Sequence, residues 1–221
     1  MALVPLPNGA KLSLATTIGA AVAISAISNA SPAVAATAAP HGYNDNDLVL
    51  LSLPGLSKID NQVRRVLDGV DASHFILPGV DSTNLTAFPP GAGVGSARAI
   101  TGWTPISKVP GFETTGGDAK TGTTSYLDSD KDLPFISGEN ATMLNIRVSH
   151  QPGSAQEQAL MAASDSGELQ VLRLTLKTGA QLFYVGELHF NPNPTTSKDA
   201  EMTNGVMLAL QSTMTRFPKV V

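Results

Sequence analysis

NATMLNIRVSHQPGSAQEQALMAASDSGELQVLRLTLKTGAQLFYVGELHF, residues 140–190, decides the fold, and its pattern runs on to Phe217. Leu144, Ile146 and Val148 are apolar while Asn145, Arg147 and Ser149 are polar, the period-two signature of a half-buried strand. The alternation returns three times. Leu172, Leu174 and Leu176 oppose Arg173, Thr175 and Lys177; after a tight turn at Thr178-Gly179, Leu182, Tyr184, Leu188 and Phe190 oppose Gln181, Glu187 and His189. Val206, Leu208, Leu210 and Met214 then oppose Gln211, Thr213 and Thr215. Between the first two strands Ser154 stands three residues before Glu157, a capping box that satisfies orphaned backbone N–H groups. It predicts a helix to about Ser164, closed by Gly167. Strand, helix, hairpin and strand make an antiparallel sheet with one helix at its side.

The chain of 221 residues, 42% of them hydrophobic, is long enough to bury a core as one large or two small domains. Low charge with 20 glycines and 15 prolines favours short strands joined by turns, so the class is mainly β. There is no cysteine, which removes disulfides, a thiolate nucleophile and thiolate metal sites. A net charge of −4 argues against a protein that grips nucleic acid, since phosphate binders concentrate Lys and Arg.

Two readings compete for Leu12 to Ala39. Lys11 before an apolar stretch through Ile27, then Ala33-Val34-Ala35, resembles a secretory signal. Thr16, Thr17, Gly19 and Ser25 interrupt the apolar run, and the alternative makes Lys11 to Thr17 and Ala21 to Ser28 two strands. No run reaches the ~18 apolar residues a membrane span needs. From there to about Gly95, turn signals such as Pro40-His41-Gly42, Pro54-Gly55 and Pro78-Gly79 separate short apolar runs, the texture of a small β module. Pro89 to Gly93 reads as a connector out of it.

No catalytic constellation emerges. Asp128, Asp130, Asp132 and Glu139 match positions 1, 3, 5 and 12 of a calcium loop, but Leu133 stands where the template needs glycine. Gly91, Gly93 and Gly95 imitate part of a dinucleotide fingerprint without its strand-turn-helix context. His41, His74, His150 and His189 are scattered, and no Gly-x-Ser-x-Gly elbow occurs. Three Asn-x-Ser/Thr triplets, at Asn29, Asn84 and Asn140, matter only in a secretory host. Trp103 is expected to cap one end of the sandwich, and Met161, Met207 and Met214 to fill the core.

Gly111 to Gly138 lacks periodicity, and a long structureless stretch in a compact domain is commonly functional. It holds Asp118, Asp128, Asp130 and Asp132 against Lys120 and Lys131. One reading is a mobile surface loop; the other, favoured because Tyr126, Leu127, Leu133, Phe135 and Ile136 are too apolar for a purely solvated linker, is a loop that orders on a neighbouring subunit.

The runs Ile24 to Ala30, Pro32-Ala33-Val34, His41-Gly42, Asn46 to Val49 and Phe75 to Thr83 look like a small β module of bacteriophage virion proteins. Followed by Trp103-Thr104-Pro105-Ile106, the Gly-rich acidic loop and the strand-helix-hairpin-strand block, they resemble the major tail tube proteins of long, non-contractile-tailed phages. The resemblance implies a mainly β fold, an antiparallel β-sandwich or barrel-like subunit flanked by one α-helix. It implies hexameric rings stacked into a hollow tube that conducts viral DNA, in a virion tail assembled in the bacterial cytoplasm. The core would be 1–20 with 98–221, and 21–97 an inserted module outside the tube. Residues 111–138 would reach between rings through Tyr126, Leu127, Asp128, Asp130, Asp132, Leu133, Phe135 and Ile136. Partners would be the chain itself, passing DNA held without sequence preference, and the tape measure, tail terminator and distal tail proteins; no cofactor, metal, catalytic residue or membrane is implied. The polar face Asn145, Arg147, Arg173, Thr175, Lys177, Gln181, Glu187, Gln211 and Thr213 is the candidate for lumen or subunit contact, although three of its cations suit an acidic lumen poorly. The competing function is a secreted β-sandwich binding module that uses the Gly111 to Gly138 loop.

Overall fold

A computed structural model describes residues 9–128 and 130–219; residues 1–8, assigned above to the core, lie outside the described residues. In chain order the elements are β1 (Lys11–Ile27), β2 (Ala33–Thr37), β3 (Leu48–Ser52), β4 (Val63–Arg65), β5 (Leu67–Asp71), β6 (His74–Leu77), β7 (Gly95–Ile106) and β8 (Gly111–Thr115). There follow β9 (Ala119–Thr124), β10 (Leu133–Glu139), β11 (Met143–Ser149), α1 (Ala155–Ser166), β12 (Leu169–Thr175), β13 (Gln181–Phe190), β14 (Thr203–Leu210) and β15 (Thr215–Phe217). The large sheet runs β4-β3-β7-β1-β12-β13-β14-β11-β8, with β15 on β13 and with β2, β6 and β5 extending from β1. It is antiparallel and sandwich-like, without closing into a barrel.

The block from β11 to β14 follows the alternation from which it was inferred. Leu144, Ile146, Val148, Leu172, Leu188, Val206 and Leu208 are buried on one face together with Leu12 and Leu14. Helix α1 lays Gln156, Leu160 and Ala163 on that face. These positions are four and three residues apart, one stripe of a helix. The Ser154 hydroxyl accepts from Glu157 N–H, and Gly167 closes the helix in the left-handed conformation. The reciprocal arm differs from the expected box: the Glu157 carboxylate accepts from the N–H of Gly153, 2.6 Å away, one residue before the cap.

Elsewhere the structure corrects the sequence. Lys11 to Thr17 and Ala21 to Ser28 are not two strands but one, β1, which pairs β12 at its start, β2 at its end and β7 along its length. The stretch weighed as a secretory signal is thus built into the sheet as β1 and β2. The polar interruptions that suggested a break mark a slip in the β1–β7 register between Ala15 and Ala21. Arg98 Nε donates to the Gly19 carbonyl at that slip, 3.1 Å away, supplying a donor where the ladder is irregular. The run Val206 to Thr215 is likewise two elements: β14 ends at Leu210, and β15 pairs β13 lower down. Met161, Met207 and Met214 are about two-fifths exposed and fill no core.

Two further buried clusters lie beyond α1. One is drawn wholly from residues between Ile24 and Ala97, with Tyr43, Leu51, Phe75, Leu77 and Phe88 among its members. The other lies on the sheet face opposite α1, where Leu50 and Val63 of the β3–β4 flap meet Ala15, Ile100, Val171, Phe183 and Val185. Ties across this flap include Gln62 Nε2 to Thr213 Oγ1 at 2.9 Å and Ser212 Oγ to the Asn61 carbonyl at 2.7 Å.

Candidate functional site

The candidate site is a set of surfaces. The first is the stretch expected to be a structureless loop, which is instead an edge strand followed by a hairpin. β8 pairs β11 on one side and ends the strand order of the sheet. β9 and β10 then form a separate two-stranded sheet, paired from Ala119·Glu139 to Thr124·Leu133. Gly116 and Gly117, at φ 81° and 79°, turn the chain into it, and Asn140 N–H to the Asp118 carbonyl at 2.9 Å ties its base. The period-two signal was hidden because β9 is Ala-Lys-Thr-Gly-Thr-Thr and carries almost no apolar side chains. Phe135 lies across Gly122, its strand partner, covering the backbone that glycine leaves bare.

Every residue of β10 is exposed. Ile136 is 72% exposed, Leu133 51% and Phe135 49%; Tyr126 and Leu127 at the turn are open as well. A two-stranded ribbon is marginal alone in water, and this one carries apolar surface that water disfavours. Asp128, Asp130 and Asp132 occupy the turn while Glu139 sits at the base, five residue pairs or ~17 Å away. Glu139 is therefore held away from the three turn carboxylates that the calcium template would join to it.

The second surface is the sheet face opposite α1. Its half over β8, β11, β14 and the end of β13 is bare, because the β3–β4 flap covers only the other half. Glu113, Asn145, Met207 and His189 form one cross-strand row, Arg147 lies between Gly111 and Gly205, and Glu187 stands opposite Ala209. The Arg147 stem passes over Gly111, its Cδ 3.8 Å from where a Cβ would stand, while Gly205 leaves the other side open. A groove of about 950 Å³ lies over this half, lined among others by Glu113, Asn145, Arg147 and Glu201.

The nine residues expected to form one polar face are divided. Asn145, Arg147 and Glu187 share the bare half, and Gln211 Nε2 donates to Glu187 Oε1 at 3.4 Å. Arg173, Thr175 and Gln181 point to the same side of the sheet from beside the covered half, where Gln181 Oε1 accepts from Arg65 Nη2 at 3.2 Å. Lys177 is in the β12–β13 turn, and Thr213 is held by Gln62. Trp103 does not cap the sandwich: it sits within β7 opposite Ala15, with Arg173 Cζ 4.1 Å from its ring centre.

An uncovered strand edge, a bare sheet face and an apolar ribbon are features of a structural subunit whose surfaces other chains complete. The family model described as "Phage tail tube protein, TTP" matches residues 54–219, and the chain belongs to that family, a structural component of the virion tail and not an enzyme. Among solved structures it is similar to a chain of the virion of a native gene transfer agent particle, at TM-score 0.39 and 11% identity over 52% of this chain and 88% of that one. A second likeness is to the tail of an empty gene transfer agent particle of C6 symmetry, at TM-score 0.38 and 12% identity over 52% and 86%. No curated protein matches the sequence.

Proposed function

We propose that the chain forms hexameric rings that stack into the hollow tail tube and conduct viral DNA, assembling in the host cytoplasm. The observation that carries this reading is the asymmetry of the sheet. α1 covers one face of β11 to β14, and the other face of β8, β11, β14 and the end of β13 is bare. The bare half turns to the lumen and α1 to the outside. Glu113 and Glu187 against Arg147 leave a net charge of −1 on the strands of that half, Glu201 beside them adds to the acid, and Arg173 and Lys177, which suited an acidic lumen poorly, do not belong to it. A weakly acidic wall offers DNA few cations to bind, so it slides.

The β8 edge joins the next subunit around the ring, a liability in a monomer that ring closure removes. The β9–β10 hairpin reaches the adjacent ring. Residues 21–97 are an inserted module on the exterior of a core made by 1–20 and 98–221, supported by the cluster drawn only from Ile24 to Ala97. The family match begins at residue 54, so β4 to β6 lie inside the span that the family describes. Tape measure, terminator and distal tail proteins would meet the tube at its lumen and ends. Negative-stain microscopy of the purified chain tests the assembly: rings or hollow tubes are expected, and a monomer under every condition overturns it.

A further inference from the structure

Five side chains beside the flap, three aromatic rings with a cation at each end, make a ladder across the sheet face opposite α1. Arg65 Cζ lies 5.1 Å from the Phe217 ring centre, and Phe217 meets Phe183 edge-on at 5.7 Å. Phe183 is tilted against Trp103 at 6.0 Å, and Arg173 sits over Trp103 at 4.1 Å. Aromatic faces attract guanidinium groups but do not fill their N–H forks, which match a carboxylate. Arg173 Nε is buried without a hydrogen-bond partner, and no carboxylate pairs with Arg65 or Arg173 among the described residues. Burial pushes the pKa of both arginines below the usual range. Lys11, opposite Thr175 on β1, and Lys177 add two more cations, making four in an overall acidic chain.

The missing acid is present elsewhere on the molecule. The hairpin turn carries Asp128, Asp130 and Asp132 against Lys131, a formal −2, beside the exposed Tyr126 and Leu127. Its own ladder is out of register with it: β12 and β8 are four strand spacings apart, ~19 Å. The ladder and the turn are opposite in charge, both part apolar, and separated within one chain.

We propose that the Arg65–Phe217–Phe183–Trp103–Arg173 ladder is the socket for the hairpin turn of a second copy of this chain. The turn's aspartates accept from Arg173 and Arg65, and Tyr126 and Leu127 cover Trp103 and Phe217. This rests on the stacked-ring reading and names where the hairpin lands.

The absence of cysteine makes the contact directly testable. Chains carrying Leu127→Cys are mixed with chains carrying Thr175→Cys, assembled into tubes and oxidised. Disulfide-linked mixed dimers are expected in the tubes, with roughly tenfold less in the unassembled fraction, because docking raises the effective concentration of the pair. Tubes without mixed dimers, or with only Thr175→Cys homodimers, overturn the socket while leaving the stacked rings intact. A wild-type chain that never forms tubes overturns the stacked-ring reading, and the socket with it. A second comparison does not depend on oxidation. Arg65→Glu with Arg173→Glu should slow tube growth roughly tenfold, and adding Asp128→Arg, Asp130→Arg and Asp132→Arg should restore it. Circular dichroism checks that the variants fold; folded Arg→Glu chains with wild-type growth overturn the proposal.

Discussion

At the scale of single residues, the structure uses side chains whose roles no pattern announces. Tyr43 is buried in the cluster of the 24–97 stretch, donates to the Ala97 carbonyl at 2.9 Å and stacks on His41. Burial, helped by the charge of Asp47, pushes its phenol up to about 12 from an ordinary 10.0. The folded chain therefore keeps a proton that the unfolded chain loses between those values. Stability from this group is complete below about pH 10 and falls as pH rises towards 12. Tyr43→Phe should be less stable at neutral pH, having lost a hydrogen bond, yet decline less steeply above about pH 10; urea midpoints across that range measure both. Gly102 is a second such position. A Cβ there would stand 2.6 Å from Thr17 Cβ on β1, at the register slip. Gly102→Ala should cost about 1–3 kcal/mol by overpacking, seen as a lower urea midpoint at unchanged slope. Trp103 shows why such roles were not legible. Its size said that it would be packed, but its partners Phe183 and Arg173 are 80 and 70 positions away in the sequence numbering.

At the scale of elements, the segments with strong alternation were legible and those with weak alternation were not. β11, α1, β12 and β13 stand close to where Leu144 to Val148, Ser154 to Gly167 and Leu172 to Phe190 put them, because each has one face in a core. β9 and β10 were missed because neither has a buried face, so selection for burial left no period of two. Only the apolar content of Tyr126 to Ile136 betrayed the segment. If the hairpin docks on another subunit, deleting Thr121 to Ser137 removes nothing from the three buried clusters. The shortened chain should keep its melting temperature within a few degrees, yet fail to elongate in electron micrographs. Normal tubes from it would refute the hairpin's role. Each large apolar side chain covered on docking contributes about 1.5–3 kcal/mol, so this one ribbon can hold neighbours together.

For the whole molecule, the division of the polar face makes the lumen a matter of a few charges. Glu113→Lys with Glu187→Lys would change the strands of the bare half from −1 to +3, each exchange adding two. Tubes should still form, since neither residue belongs to a buried cluster, but DNA should leave the virion more slowly and with a stronger dependence on salt. Release at wild-type rate would place the lumen on another face. The class and the helix-flanked sheet were legible from residues 140–217, whereas the sharing of one sheet by core and module was not, because it depends on pairings such as Ala21 with Arg98 and Val49 with Ala99, 77 and 50 positions apart. The long strand β1 carries that sharing. Leu12 and Leu14 lie in the core beneath α1, Ala15 in the cluster beneath the flap, and Ile24 in the cluster of the 24–97 stretch. A load that drags the 24–97 stretch along this strand pulls β1 and β7 together, since both run on into it, and meets the β1–β12 ladder at Lys11 to Leu14 in shear, with its hydrogen bonds resisting together and not peeled one at a time. In a tail bent by flow or by collision with a cell, the stretch would behave as a stiff rib of the subunit and would not swing as a pendant.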